Sequence, residues 1–283
     1  MKTHTTHYKN INILLATKHH KEFAIQAPFN DTFRASIYVP NDYNTDELGT
    51  FSGEVERTGT PYETVIEKAS RAMKKYDFSY AIASEGSFGP HPGLFFLAAD
   101  IELMSFIDTR NNLTIVVSEI TTETNFAHLD VSRGENYEDF LTKIKFGTHG
   151  LIIKDMTRNT VLAKGITERE KLDAIIETSL KNADTIRLET DMRAMMNPTR
   201  MHVIHRLAQK LCTRLQQICP MCDSPGFGKV SVNGNLPCRE CGTQTELYQS
   251  KFLHCIKCSH FEELPRDDGA THADAQYCSY CNP

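Results

Sequence analysis

The chain has 283 residues, of which 40% are hydrophobic and 24% are charged, and this composition suits about two globular domains. Its formal net charge of −5 excludes a global positive field that would attract nucleic acid or an anionic membrane. The first ten residues contain no apolar core of a signal peptide, and no later run approaches the roughly 18 apolar residues that cross a bilayer. We therefore expect a cytoplasmic protein, with neither a membrane nor a nucleic acid as its partner.

The amino-terminal half begins with short apolar runs that are typical of buried strands. Residues 12–17 predict a first strand, and residues 35–39 predict a second one that ends at Pro40. Residues 80–83 predict a third buried strand, whose carboxyl end enters the glycine-rich segment 84–93. We interpret that segment as a loop, and in open α/β sheets such a loop usually carries the ligand.

The strongest helix signal of this half lies over residues 61–78. Thr60 is suited to be the N-cap, Pro61 is suited to the first helical position, and Glu63 completes a capping pattern. The apolar residues recur at helical spacing and predict one buried face: Val65, Ala69, Ala72, Met73 and Tyr76.

The middle of the chain predicts further strands and helices in alternation. Residues 101–118 predict two strands joined by a turn at residues 110–112. Further segments predict helices at residues 137–145 and 168–181, a strand at residues 150–154, and a last helix at residues 198–218. We interpret the basic residues of this last helix and its approach as a solvated face: Arg187, Arg193, Arg200, Arg206, Lys210 and Arg214.

Four Cys-x-x-Cys pairs lie in the last quarter of the chain. Two thiolates at this spacing form half of a tetrahedral zinc site, so four pairs predict two structural zinc ions. A disulfide framework is disfavoured, because metal-type spacing repeats four times without a secretory signal. The predicted ligands are Cys219, Cys222, Cys238, Cys241, Cys255, Cys258, Cys278 and Cys281.

The sequence leaves the pairing of these halves open among three arrangements. The spacing favours tandem pairing, in which the first pair joins the second across a predicted hairpin at Asn233 and Gly234, and the third pair joins the fourth. In nested pairing the second and third pairs form one site and the outer pairs form the other. In the interleaved cross-brace the first pair joins the third. In all three, four thiolates leave no open position for water, so neither zinc is expected to be catalytic.

The cysteine-rich region is acidic, with six basic and eight acidic side chains from Thr213 onward. A Zn(Cys)₄ centre adds further negative charge, so we expect a structural cap or a protein-docking surface rather than a nucleic-acid reader. The predicted fold class is α/β, a mixed sheet flanked by helices, followed by a C-terminal double zinc-ribbon-like module. The predicted domains are an α/β domain with a ligand cleft over residues 1–197, a connecting helix over 198–218, and a two-zinc Cys₄ module over 219–283.

Three polar clusters of the amino-terminal half are placed to hold a ligand. Residues 17–22 follow the first strand, where backbone amides, Lys18 and Lys21 are suited to phosphate oxygens. Residues 49–61 contain three glycines and the carboxylates of Glu54 and Glu56. In residues 84–93, the glycines allow close approach of a ligand, while Glu85 and His91 are suited to hold a metal or move a proton.

The order of these motifs resembles the inosine/xanthosine triphosphatase group of nucleotide pyrophosphohydrolases over roughly a third of the chain. That group has a Ser/Thr-x-Asn-x-x-Lys loop after a strand, a Thr-Gly-x-Thr stretch before a helix with Lys-Ala, and an acidic, glycine-containing turn after another strand. The corresponding residues of this chain are Thr17 and Lys21, then Thr58, Gly59, Thr60, Lys68 and Ala69, and finally Glu85 and Gly86.

The resemblance implies a Mg²⁺-dependent hydrolase whose substrate is a nucleotide or another phosphorylated small molecule. Lys21 would hold the triphosphate, together with Lys18 and Lys68, while Thr17 belongs to the same binding loop. Mg²⁺ would be held by Glu85 and a second carboxylate, either Glu56 or Asp100, and would activate a water. His91 completes the predicted catalytic residues.

The whole chain also resembles an uncharacterised bacterial family, through TGTPYET, ASEGSFGPHP, LETDMRAMMNPTRM and the closing CNP. That resemblance implies no activity. The alternative to an enzyme is a non-enzymatic zinc-ribbon adaptor that docks a protein partner, or as the less favoured option a nucleic acid, through its cysteine-rich module. In that interpretation Lys68 is a helix-surface residue, and Asp100 and Glu102 form the polar edge of a hairpin.

Overall fold

A computed structural model describes residues 7–43 and 59–283. The chain divides into two compact units, Tyr8–Leu211 and Cys212–Pro283. Over the part of the chain that is described, no helix combines the length and the apolar character that a membrane span requires. The helices are α1 Glu22–Phe33, α2 Pro61–Tyr76, α3 Glu138–Lys143, α4 Arg169–Ser179 and α5 Pro198–Gln216.

The first unit contains a five-stranded mixed sheet. Its strands are β1 Asn12–Ala16, β2 Ser36–Tyr38, β3 Tyr80–His91, β4 Leu94–Asp108 and β5 Leu113–Thr121, in the spatial order β2-β1-β3-β4-β5. Strand β1 pairs in parallel with β2 and β3, whereas β4 pairs antiparallel with β3 and β5. The predicted mixed sheet flanked by helices is therefore confirmed.

Helix α2 covers one face of this sheet. The Thr60 hydroxyl accepts a hydrogen bond from the Glu63 amide, the Glu63 carboxylate accepts one from the Thr60 amide, and Pro61 occupies the first turn. This capping box satisfies backbone donors that a helix start otherwise leaves without partners. The buried face of α2 packs against residues of β1, β3 and β4, including Leu14, Ala81, Ala83 and Leu103.

The opposite face of the sheet carries an aromatic core beneath α1. The ring of Tyr8 makes edge contacts with Phe33, Tyr80 and Phe106 at centroid distances of 6.1, 5.9 and 4.9 Å. The Tyr8 hydroxyl donates to Asp108 Oδ2 at 3.1 Å, so this buried ring keeps a partner for its polar end. Helix α5 contacts α1, since His205 Nδ1 lies 2.9 Å from Ala24 O.

A second, antiparallel sheet completes this unit. Its strands are β6 His128–Ser132, β7 Leu151–Asp155, β8 Thr160–Ile166 and β9 Thr185–Thr190, in the order β6-β9-β7-β8. Helices α3 and α4 cover one face, where Ile153, Leu172 and Leu188 belong to a common buried core. Because side chains alternate along a strand, the other face carries the charged residues Lys154, Arg187 and Glu189.

The second unit is built around a small antiparallel ribbon. It consists of β10 Lys229–Asn233, β11 Ser250–His254 and β12 Phe261–Pro265, with β11 in the centre. In this register Lys229 lies opposite His254 at one end of the ribbon, and Asn233 lies opposite Ser250 at the other end. The cysteine pairs lie in the segments that enter, connect and leave these strands.

One segment differs from its predicted structure. Residues 84–93 were predicted to form a loop, but β3 continues to His91 and only Pro92 and Gly93 form the turn into β4. Partner residues on β4, from Met104 opposite Ser84 to Ala98 opposite Pro90, form an antiparallel ladder that satisfies the backbone of this glycine-rich stretch. The polar residues expected on a loop therefore project from a strand.

Candidate functional site: a buried charge cluster and two cysteine tetrads

Six charged side chains of the Tyr8–Leu211 unit are each more than nine-tenths buried and interact electrostatically with one another. They form what we call the charge cluster: Lys21, Lys68, Glu85, Asp100, Glu102 and Arg200. Three are basic and three are acidic. Charged side chains are rarely buried to this extent unless they are paired, and such groups collect at functional sites.

The sheet topology brings these residues together. Because Ala16 of β1 lies beside Ala83 of β3 in a parallel pair, the residues that follow each strand meet at the same edge. Lys21 reaches this edge at the start of α1, where its ammonium donates to Ser84 Oγ at 2.9 Å and to Ser84 O at 3.2 Å. The loop between β1 and α1 therefore contacts the first polar residue of the extended β3.

The acidic residues project from both faces of the β3–β4 hairpin. Glu85 accepts a hydrogen bond from the Lys68 ammonium on the face that α2 covers. Glu102 lies opposite Gly86, and Asp100 lies opposite Phe88, so both carboxylates project from the other face. The hairpin thus carries carboxylates on its two sides within four consecutive ladder positions.

Arg200, in the first turn of α5, completes the cluster. Its Nε donates to Glu102 Oε1 at 2.6 Å, its Nη1 donates to Met192 O at 2.5 Å, and its guanidinium lies 5.0 Å from the centroid of the Phe88 ring. A Cβ at Gly86 would lie 2.5 Å from Arg200 Nη2 and would also collide with Glu102 Oε1. Only glycine at position 86 lets this ion pair lie directly on the strand.

Asp100 is the least satisfied member of the charge cluster. Within residues 7–43 and 59–283, neither of its carboxylate oxygens has a hydrogen-bond partner, and the same holds for Glu102 Oε2. Burial, together with the negative charge of Glu102, raises the pKa of Asp100 to about 8. Burial, together with the positive charge of Arg200, lowers the pKa of Lys21 to about 7.

These features fit the donor set of a hard divalent cation. Mg²⁺ prefers oxygen ligands and usually binds through one or two carboxylates, with water and substrate oxygens in the remaining positions. Both oxygens of Asp100 and Oε2 of Glu102 are buried carboxylate oxygens without a donor among the residues that the structure describes. In the described ranges, the groups of three or more metal-ligating side chains within 4.8 Å are the cysteine tetrads, so the protein would contribute two carboxylates here.

The structure brings together four of the residues that the sequence singled out, namely Lys21, Lys68, Glu85 and Asp100. Thr17 is buried at the end of β1, where its hydroxyl accepts from the His19 amide at 3.4 Å, whereas Lys18 is exposed. His91 lies at the far end of β3, six residues beyond Glu85. Its Nδ1 accepts hydrogen bonds from the Gly93 and Leu94 amides at 3.1 Å each.

Glu56 and most of the 49–61 cluster lie outside the described residues.

Sequence reasoning missed two members of the charge cluster. The interpretation of Arg200 as part of a solvated helix face was wrong, because its side chain is fully buried against Glu102. Glu102 was considered only as a polar edge of a hairpin, yet it is also fully buried. The available signal was the placement of Asp100 and Glu102 two residues apart on a strand whose remaining residues are largely apolar.

The Cys212–Pro283 unit contains two cysteine tetrads. The first tetrad comprises Cys219, Cys222, Cys255 and Cys258, and the second comprises Cys238, Cys241, Cys278 and Cys281. Neighbouring sulfurs lie 3.7 Å apart in the first tetrad and 3.6 and 3.9 Å apart in the second. Tetrahedral zinc with Zn–S bonds of about 2.3 Å separates its sulfurs by about 3.8 Å. The two tetrads are therefore positioned to bind two metal ions.

This arrangement is the interleaved cross-brace, so the favoured tandem pairing was wrong. The register of β10 and β11 places the first and third cysteine pairs at one end of the ribbon. At the other end, the Arg239 amide donates to Ala273 O and the Ala273 amide donates to Pro237 O, both at 2.9 Å, which joins the second pair to the segment before the fourth. Pairing follows from these nonlocal strand contacts rather than from spacing.

The electrostatics of the tetrads also favour a bound cation. The hydroxyl and the backbone amide of Thr243 lower the pKa of Cys241 to about 6, which favours its thiolate. In contrast, hydrogen bonding to Cys241 together with burial raises the pKa of Cys281 to about 12. Four thiolates at these distances repel one another, and a divalent cation among them removes this repulsion.

Comparison with known proteins gives the family of the chain. A family model described as Domain of unknown function (DUF6671) matches residues 68–283, which is more than half of the sequence. The chain belongs to this family. The match begins within α2 and includes the β3–β4 hairpin, Arg200 and both cysteine tetrads. No curated protein matches the chain.

Proposed function

We propose that the Tyr8–Leu211 unit is a Mg²⁺-dependent hydrolase of a nucleotide or another phosphorylated small molecule, and that zinc fills both cysteine tetrads. The observation that carries the first part is the burial of three carboxylate oxygens without hydrogen-bond partners among the described residues, in Asp100 and Glu102. A buried polar group without a partner costs about 1–3 kcal/mol. A bound cation would offset this cost, because it would take the place of the missing hydrogen-bond donors.

Mg²⁺ held by Asp100 and Glu102 would neutralise phosphate oxygens and orient an attacking water. Arg200 holds Glu102 in position through its hydrogen bond to Oε1. The ammonium of Lys21 carries positive charge that favours a phosphate group, and its lowered pKa makes a neutral amine available near pH 7 to accept a proton from water. Lys68 holds the Glu85 carboxylate at the opposite face of the hairpin.

Zinc in the tetrads is assigned a structural role. Each tetrad offers four sulfurs, and a Cys₄ site has no open position for water or substrate. All the cysteines are free of disulfide bonds, so every ligand thiol is available to the metal. The metal then adds to the stability that the small hydrophobic core of this unit supplies.

The test is turnover of a panel of nucleotides and simple phosphoesters with Mg²⁺, measured by release of phosphate and pyrophosphate. We expect Asp100→Asn to require more Mg²⁺ and Lys21→Met to lower kcat on the order of 100-fold. Asp130→Asn is a matched control, because Asp130 pairs with Arg187 on the other sheet and lies outside the charge cluster. No turnover of any compound by the wild-type protein, or equal turnover by wild type and Asp100→Asn, refutes the hydrolase.

A second candidate, a protein adaptor, is favoured by the exposed ribbon. Val230 and Val232 project from β10, which is an edge strand among the described residues, and they are 58% and 60% exposed. Another strand can add to an edge of this kind. Pull-down of a specific protein that is lost in Val230→Lys, combined with absence of turnover, would favour the adaptor over the enzyme.

A further inference from the structure

A cleft of about 340 Å³ lies in the Tyr8–Leu211 unit beside the charge cluster. It is bordered by the extended part of β3, the segment before β6 and the charged face of the second sheet. Its walls include Phe88, Phe126, His128, Lys154, Glu189 and Met192. The volume lies within the range of small-molecule sites, which begins at about 300 Å³.

One wall of the cleft is aromatic. The rings of Phe88 and Phe126 lie 5.9 Å apart between centroids, and their planes differ by 31°. Ile152 and Met192 extend the apolar surface. A flat ring stacks well on a surface of this kind. In proteins that bind single-stranded nucleic acid, each base that stacks on an aromatic side chain contributes substantially to the binding free energy.

The part of the lining that the second sheet contributes combines a hydrogen-bond donor and an acceptor. Lys154 Nζ lies 2.7 Å from Glu189 Oε2, and both side chains are only partly buried. His128 lies opposite Glu189 on the neighbouring strand and faces the same side. An ammonium next to a carboxylate matches a ring whose edge carries both an acceptor and a donor, as nucleobases do.

Two residues that line the cleft also contact the charge cluster. Phe88 lies opposite Asp100 in the β3–β4 ladder, and the Arg200 guanidinium lies over its ring. Met192, which also lines the cleft, accepts a hydrogen bond from Arg200. The aromatic wall of the cleft therefore lies next to Arg200 and to the strand position that carries Asp100.

We infer that this cleft binds the base of a nucleoside phosphate whose phosphate group lies at the charge cluster, with Phe88 and Phe126 contacting the ring face and Lys154 and Glu189 contacting the ring edge. The inference rests on the proposed function for the position of the phosphate. It adds the substrate class and names the residues that select it.

The test compares ligands with and without a ring. Dissociation constants are measured by calorimetry in Mg²⁺ buffer for the 5′-monophosphates of adenosine, guanosine, cytidine and uridine, and for ribose 5-phosphate. We expect at least one nucleotide to bind about tenfold or more tightly than ribose 5-phosphate, and Phe126→Ala to remove this advantage while leaving ribose 5-phosphate unchanged. Asp130→Asn, which alters an exposed pair on the same sheet, should keep it.

A second variant tests the ring edge without removing core volume. Glu189→Gln replaces an acceptor with a group that also donates, so the rank order of the four nucleotides should change by about tenfold for at least one pair. Equal affinities for nucleotides and ribose 5-phosphate, together with phosphoester turnover, would overturn the inference and leave the hydrolase intact. Binding of neither class, with no turnover, would overturn both. An unchanged rank order in Glu189→Gln would remove the ring-edge assignment.

Discussion

Asp100 shows how burial changes the chemistry of one side chain. An isolated aspartate is ionised near neutral pH, whereas Asp100 has a pKa of about 8 because it is buried next to Glu102. In the folded protein without a bound cation, it therefore keeps its proton at pH 7. A cation that binds there must displace this proton, so the affinity of the site for metal should rise with pH.

The same shift predicts the pH dependence of stability. Between about pH 5 and 7 the folded protein holds the Asp100 proton and the unfolded chain does not, because the ordinary pKa of aspartate is 3.8. The free energy of unfolding should therefore fall as pH rises, by on the order of 1 kcal/mol per pH unit from this residue. Asp100→Asn should remove this part of the slope. Denaturant unfolding of the two proteins at pH 5, 6 and 7, without added Mg²⁺, measures it.

The measurement stops at pH 7 because, above this pH, Lys21 changes the free energy of unfolding in the opposite direction. Its pKa of about 7 lies below the ordinary 10.5, so it contributes stability that increases with pH from there. Asp130→Asn is the control. Hydrogen bonding to Arg187 lowers the pKa of Asp130, so the contribution of Asp130 to the free energy of unfolding changes only at pH values below the measured range. Parallel stability curves for wild type and Asp100→Asn would show that Asp100 is ionised throughout.

At the scale of helices and strands, local signals predicted those elements whose causes are local. The capping residues around Thr60 and the apolar stripe of α2 lie within a single segment, and the helix forms where they indicate. Strands β4 and β5, joined after Asp108, were likewise predicted from their composition and turn. The continuation of β3 through Gly86 and Gly89 could not be predicted, since it depends on a partner strand that follows a turn at Pro92.

The candidate site was predicted only in part for the same reason. Lys21, Lys68 and Glu85 were found because each follows or begins a recognisable element. Arg200 comes from a helix about one hundred residues further along the chain than its partner Glu102, so no local pattern connects them. The cysteines were predicted individually, but their assignment to tetrads depends on strand register.

The cross-brace of the ribbon can be tested by double substitutions. Cys222→Ala with Cys258→Ala removes two ligands from the first tetrad, so one zinc should remain bound per chain. Cys222→Ala with Cys241→Ala removes one ligand from each tetrad, so both sites lose affinity and zinc content should approach zero. Native mass spectrometry of each purified protein gives the count. Retention of one zinc by a Cys222→Ala, Cys238→Ala variant would instead support tandem pairing.

At the scale of the whole molecule, the two units have different sources of stability. The Tyr8–Leu211 unit has two sheets with helices packed on them, whereas the Cys212–Pro283 unit has a buried apolar cluster in which Phe227 is accompanied by Cys219 and Cys255. Since metal ligands form part of that small core, metal binding and folding of this unit are expected to be one process.

Removal of zinc should therefore unfold the second unit. Binding at a structural zinc site contributes on the order of 10 kcal/mol to folding in small zinc domains. After treatment with a strong chelator at pH 7, the amides of β10 and β11 should lose protection in hydrogen exchange, and added zinc should restore it. Amides of β3 and β4 serve as an internal reference. Protection of the ribbon that persists in metal-free protein would contradict this dependence.

The interleaving of the tetrads also sets the order in which the sites can close during synthesis. A tandem arrangement would complete its first site as soon as Cys241 had been translated. In the observed arrangement the first site needs Cys258, and the second waits for Cys281. The thiols of Cys238 and Cys241 must therefore remain reduced while more than thirty further residues are added, which makes the nascent chain sensitive to oxidants and to zinc supply at that stage.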